Sequence, residues 1–218
     1  MSLFASLLRD FRRTASDLPG LFSGHFCVMF LPLAPLLGDE ATLPGYYSDQ
    51  TYFCRLRETY TDPLAPYRCK KQLKAGRCII LELDGLGSFV FTNHYHSALF
   101  QNLQRKFPGV TSYVFCSDGP GGYFKILKDG RIQRKVASYM FFEGMGSYAE
   151  TRGAPCAYEL ETGHIFKVDP KARHLREMMP DFTKREVLDL FDYYVGLDRF
   201  QSEALRRTLV YDLESPNT

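Results

Sequence analysis

Between Cys78 and Tyr139 the hydrophobic period changes in an orderly way, and no other stretch limits the possible folds as much. Cys78 to Leu83 is apolar and partly β-branched, as a buried strand requires, Asp84-Gly85-Leu86-Gly87 reads as a turn, and Phe89 to Thr92 returns as a second strand. The spacing then becomes helical. Tyr95, Leu99, Leu103 and Phe107 recur four residues apart, with Asn93 or Ser97 available as the N-cap and Pro108-Gly109 as the stop. Val110 to Cys116 forms a third strand. Tyr123 to Leu127 and Ile132 to Val136 flank Lys128-Asp129-Gly130-Arg131, whose Asp-Gly pair supplies the positive φ angles of a tight hairpin.

The segments around this core are weaker in pattern. Leu3, Leu7, Leu8 and Phe11 share one helical face, so Leu3 to Phe11 is expected as a short amphipathic helix docked on the core. His25 to Leu33 reads as a buried strand, followed by a loop to Gly45, and Thr51 to Arg57 as a short strand. Ala157 to Leu160 and His164 to Val168 suggest a further hairpin around Glu161-Thr162-Gly163. Thr183-Lys184-Arg185-Glu186 has the form of a capping box. It opens a helix whose buried stripe is Val187, Leu188, Phe191 and Val195 and whose end is Gly196. Phe200 to Leu209 is expected as a last helix, with Tyr211 to Thr218 fraying.

With 218 residues, 45% of them hydrophobic, the chain can bury a sizeable core. The expectation is a single α+β domain over residues 1–218, a mostly antiparallel sheet with helices packed on one face and 78–139 as its sheet-forming centre. A formal net charge of +2 gives no global argument for nucleic acid. The one dense basic run, Arg68, Lys70, Lys71, Lys74 and Arg77, reads as a solvated turn or helix. The most apolar run, Phe26 to Leu37, contains Pro32 and Pro35 and falls short of the roughly 20 residues a membrane span needs. Arg9, Asp10, Arg12 and Arg13 precede any long apolar core, which is unlike a signal peptide, so the expected location is cytoplasmic.

Candidate chemistry is sparse. Cys27, Cys54, Cys69, Cys78, Cys116 and Cys156 show neither CxxC pairs nor repeated spacing, so they are expected as small buried residues or free thiols, without zinc. His94 and His96 would share one side of a strand, but at a helix start residues two apart diverge, so no metal is expected there. Asp118-Gly119-Pro120-Gly121-Gly122 has no Lys-Ser/Thr pair after it and reads as a loop between strands rather than a phosphate cradle. An enzymatic alternative, a hydrolase or transferase, would have to assemble His94 or His96 with Cys116 or Asp118 in three dimensions. No cofactor is expected.

The succession Val114-Phe115-Cys116-Ser117-Asp118, a glycine loop and then Tyr123-Phe124-Lys125-Ile126-Leu127-Lys128-Asp129-Gly130-Arg131 resembles the strand, acidic loop and aromatic hairpin of small cytosolic bacterial immunity-type proteins of toxin–immunity systems. The resemblance covers about a quarter of the chain, rests on no invariant motif and carries over no catalytic residue. It implies a non-enzymatic protein-interaction module that binds and neutralises a cognate toxin. This chain departs from the simplest inhibitor pattern in lacking a strong acidic excess. Asp118 and Tyr123, with Phe142, Met145 and Tyr148 from the glycine-punctuated aromatic stretch after Tyr139, are the expected partner-binding residues.

Overall fold

The computed structural model describes residues 25–33, 40–44, 51–61, 77–92, 97–118, 121–140, 147–167, 184–197 and 205–214. The strands are β1 (His25–Leu31), β2 (Glu40–Pro44), β3 (Thr51–Tyr60), β4 (Arg77–Leu83), β5 (Gly87–Thr92), β6 (Thr111–Asp118), β7 (Gly121–Lys128), β8 (Arg131–Met140), β9 (Ser147–Arg152) and β10 (Leu205–Glu214). The helices are α1 (Ser97–Arg105), α2 (Ala157–Thr162) and α3 (Lys184–Val195). All ten strands join one sheet in the order β2-β3-β10-β4-β5-β1-β6-β7-β8-β9, and every pairing is antiparallel.

The 78–139 stretch is the middle of that sheet, opened to admit β1 between β5 and β6. Covered on both faces, β5 is buried along its whole length, which is why Phe89 to Thr92 reads as apolar rather than alternating. The Asp-Gly hairpin forms as its sequence requires, with Asp129 at φ 53° and Gly130 at φ 68°. Its tip is fastened to the end of α1: the Gly109 amide donates to Asp129 Oδ1 at 2.8 Å and the Gly130 amide donates to Gln104 Oε1.

Alternation along the strands divides the interior into two cores. Val28, Phe30, Phe115, Phe124, Val136 and Val210 point to the side covered by Val187, Leu188, Leu190, Phe191 and Val195 of α3. Cys27, Met29, Val90, Val114, Leu127 and Leu209 point to the side covered by Leu99, Phe100 and Leu103 of α1. The sheet-dominated antiparallel fold is therefore as expected, but α1 and α3 lie on opposite faces, not on one. A strand with apolar residues at both parities needs cover on both sides, and one helix cannot supply it.

Three local expectations are corrected. Leu205 to Glu214 is not the end of a helix followed by a frayed tail; it is β10, between β3 and β4. The four-residue spacing of Leu205 and Leu209 suggests a helix, but Leu209, Tyr211 and Leu213 are alternate residues packed on the α1 side. Ala157 to Thr162 is a helical turn and a half rather than a hairpin strand, ended by Gly163 in the left-handed region at φ 71°. The chain also gains strands where loops are expected, β2 within the segment before Gly45 and β9 after Met140. The 3–11 helix, the capping residues Asn93 and Thr183, and the basic residues Arg68 to Lys74 lie outside the described residues. α1 itself begins at Ser97, and α3 ends at Gly196, φ 65°, as its sequence predicts.

Candidate functional site

The last three strands of the sheet carry a row of cations. The two-residue turn at Asp129-Gly130 would by itself set Lys125 opposite Arg134, but the register between β7 and β8 shifts at Ile126/Leu127, and Lys125 instead faces Lys135. On the other side of β8, Lys135 faces Arg152 of β9. Lys125, Lys135 and Arg152 thus form a cross-strand row with Tyr123 and Glu150 one step along it. Like charges directly opposed across a sheet repel, and among the described residues Glu150 is the acid that offsets them here.

Within the row the charges are unequally served. Lys135 Nζ pairs with Glu150 Oε2, the two side chains being 16% and 33% exposed. Lys125 is half-buried between Tyr123 and Leu127, and its ammonium sits over the Tyr123 ring, 4.3 Å from the centroid. Lys135 Nζ lies farther from the same ring, at 6.0 Å. Burial above all, and then the facing Lys135, push the Lys125 ammonium down from 10.5 to about 8, with Glu150 pulling it part of the way back. Arg152 is exposed.

Tyr123 links this row to the sheet interior. It is only 8% exposed, and its hydroxyl is 3.6 Å from Cys27 Sγ. Cys27 and Cys116 are directly opposed on β1 and β6 and are joined by a disulfide, which corrects the expectation of free thiols for these two. Cys78 and Cys156 are buried, and Cys156 carries a free thiol. With its sulfur bonded to Cys27, Cys116 has no thiolate to offer a dyad with His94 or His96, and both histidines lie outside the described residues. Sequence reading misses this bridge because the cysteines are 89 residues apart and meet only through the insertion of β1.

The expected binding residues are placed unevenly. Asp118 closes β6 opposite Gly121, and Tyr148 lies on β9 opposite Tyr139. Tyr123 is a buried ring beneath a cation rather than an exposed anchor. Phe142 and Met145 are outside the described residues. Of the expected residues, Asp118, Tyr123 and Tyr148 therefore lie on β6, β7 and β9. Lys125, Lys135, Glu150 and Arg152 are the members that sequence reading misses. The usable signal was the alternation of Tyr123 with Lys125 and of Lys135 with Ala137, an ionic pattern on a face that is otherwise apolar.

The opposite face of the same strands carries a closed arrangement. Arg134 and Glu159, with side chains 5% and 0% exposed, form a forked pair, with Arg134 Nε donating to Glu159 Oε2 at 2.8 Å. The guanidinium also donates to the carbonyls of Gly153 at 2.9 Å and Phe166 at 3.1 Å. Glu159 accepts from the amides of Cys156 at 2.8 Å and Phe166 at 3.0 Å. Burial alone would raise the Glu159 carboxyl, but the bonds from Arg134 and Cys156 outweigh it and hold the group below its ordinary value. This is a clamp that fixes α2 and the chain after it to β8. In the other half of the sheet a cleft of about 300 Å³ is lined by Pro32, Leu83, Asp84 and Arg206 among others. Its one buried acid, Glu82, is already engaged by Arg207, at 3.1 Å on one arm of a fork.

Among the described residues no cluster of three or more His, Cys, Asp or Glu could hold a metal ion, and no helix is long and apolar enough to cross a membrane. Fold and site together define a wide antiparallel sheet flanked by helices, with a cationic, tyrosine-backed row at one end. No protein-family model, curated protein or solved structure matches the chain.

Proposed function

We propose that this protein is a non-enzymatic protein-interaction module that engages an acidic partner surface through the β7–β9 end of its sheet. The observation that carries this reading is the row Lys125, Lys135 and Arg152, opposed strand to strand with, among the described residues, a single carboxylate beside it. A fold that keeps like charges in register gives up stability wherever no opposite charge neutralises them. The built-in Glu150 favours a protein of mixed charge over the uniformly anionic backbone of a nucleic acid, which it would repel. Toxin neutralisation in the cytoplasm is the sharpest form of the reading and rests on the strand, acidic loop and hairpin resemblance around Val114 to Arg131.

The test compares the immobilised wild type with a Lys135→Gln, Arg152→Glu double variant in lysate from the native host. The reading expects a protein retained by the wild type and lost from the variant, released also by raised salt, with both chains melting at similar temperatures. Co-expression of that protein then tests the immunity form: its toxicity should be relieved by the wild type and not by the variant. Retention that is unchanged in the variant, or that disappears on nuclease treatment, sinks the proposal.

A further inference from the structure

The same row places one amine in an unusual setting. Lys125 is enclosed by Val114 from β6, Lys135 from β8, and Tyr123 and Leu127 of its own strand. Glu150, the nearby acid of β9, is committed to Lys135. Among the described residues, α1 packs Leu99, Phe100 and Leu103 over this face, and its one cation, Arg105, lies at the hairpin tip beside Gly130. Among the described residues, the charged groups that bear on Lys125 are Lys135, which favours loss of its proton, and Glu150, which opposes it. Its ammonium has the face of Tyr123 beneath it and a second ammonium across from it. An amine that is desolvated beside another cation gives up its proton readily, and the free lone pair is a nucleophile.

We propose that Lys125 is a covalent-binding site for small aldehydes that carry an anionic group, the amine taking the carbonyl and Arg152 the anion. Two strand spacings separate Lys125 from Arg152, roughly 9–10 Å between backbones, which a compact phosphorylated aldehyde and two long side chains span. The Nζ lone pair attacks the carbonyl carbon and a C–N bond forms as the C=O π pair moves to oxygen. Transfer of the Nζ protons to that oxygen expels it as water and leaves an imine. No electrons are exchanged and no further reactant is needed. This chemistry goes beyond partner binding and stands on Lys125 itself, which the partner test leaves intact.

Pyridoxal 5′-phosphate is the probe and phosphate-free pyridoxal its control, each added at one equivalent to the whole protein and fixed with borohydride before peptide mapping. Lys125 is expected to carry most of the label, with the phosphorylated aldehyde preferred about tenfold, the worth of one charge-assisted contact. Labelling should rise with pH through about 8, where Lys125 loses its proton, rather than near the ordinary 10.5. Lys125→Arg should abolish it, with Lys125→Met as a second variant should the first unfold. Arg152→Gln should remove the preference for the phosphorylated probe, so that the variant's Lys125 takes both aldehydes alike. Label spread evenly over the other lysines, or equal labelling of Lys125 by both aldehydes, overturns the proposal.

Discussion

Arg134 and Lys135 are neighbours in the chain on opposite faces of β8, and they meet opposite electrostatic fates. Arg134 enters a closed clamp in which its fork and the Glu159 carboxylate are met by named partners on α2 and the segment after it. Lys135 joins a row in which cations outnumber the acid and Lys125 is left facing a like charge. The first arrangement is what buried charge requires to be tolerated at all. The second, among the described residues, holds two ammonium groups face to face, which lowers stability. A saturated network builds the fold; an unsaturated one, held on a rigid strand, is where binding is to be sought.

The comparison can be broken most forcefully at the clamp. Arg134→Met strands the buried Glu159 carboxylate, and the expected cost is about 3–5 kcal/mol in urea unfolding. The same pair sets an acid dependence. Glu159 is held below its ordinary 4.5 in the fold, so its contribution is present above that pH and is lost as pH falls through the depressed value. A midpoint near that of the wild type would show that the clamp is not formed.

The hairpin that carries both faces comes next. Gly130→Val forces a β-branched residue to φ 68° and crowds the Arg105 side chain, for an expected loss of about 1–3 kcal/mol by thermal unfolding. An unaltered melting temperature would place the turn elsewhere.

At the row the sign reverses. Lys125→Met removes a half-buried ammonium that faces another, so at neutral pH it should stabilise the protein by about 1–2 kcal/mol. The folded chain releases this proton near pH 8 and the unfolded chain near 10.5, so between those values the unfolded state binds more protons and wild-type stability climbs with pH. In the variant that climb should flatten. Destabilisation at pH 7 would mean that Lys125 has an anionic partner within the fold.

The smallest effect is expected at Arg152, whose exposed side chain should tolerate Gln with a change within about 0.5 kcal/mol. A larger loss would move Arg152 from the open row to the structural side of the comparison.

Local chemistry, by itself, determined much of this protein. Asp129-Gly130 dictates its own turn because few other residues accept those φ angles. The stripe Val187, Leu188, Phe191 and Val195 dictates a helix because one face must be buried. The apolar runs of β1, β4 and β5 identify themselves as central strands by having no polar side. What the sequence could not settle were properties of partners distant along the chain. The position of β10 depends on β3 and β4 presenting free edges, and the Cys27–Cys116 bridge on β1 entering between β5 and β6. The candidate site depends on a single register shift. A regular ladder from the Asp-Gly turn would set Arg134 against Lys125. The irregularity at Ile126/Leu127 instead sends Arg134 into the clamp and brings Lys135 into the row. Strand side chains alternate with period two, so one added residue exchanges the faces of everything beyond it. Only the packing of both faces at once decides where that residue goes.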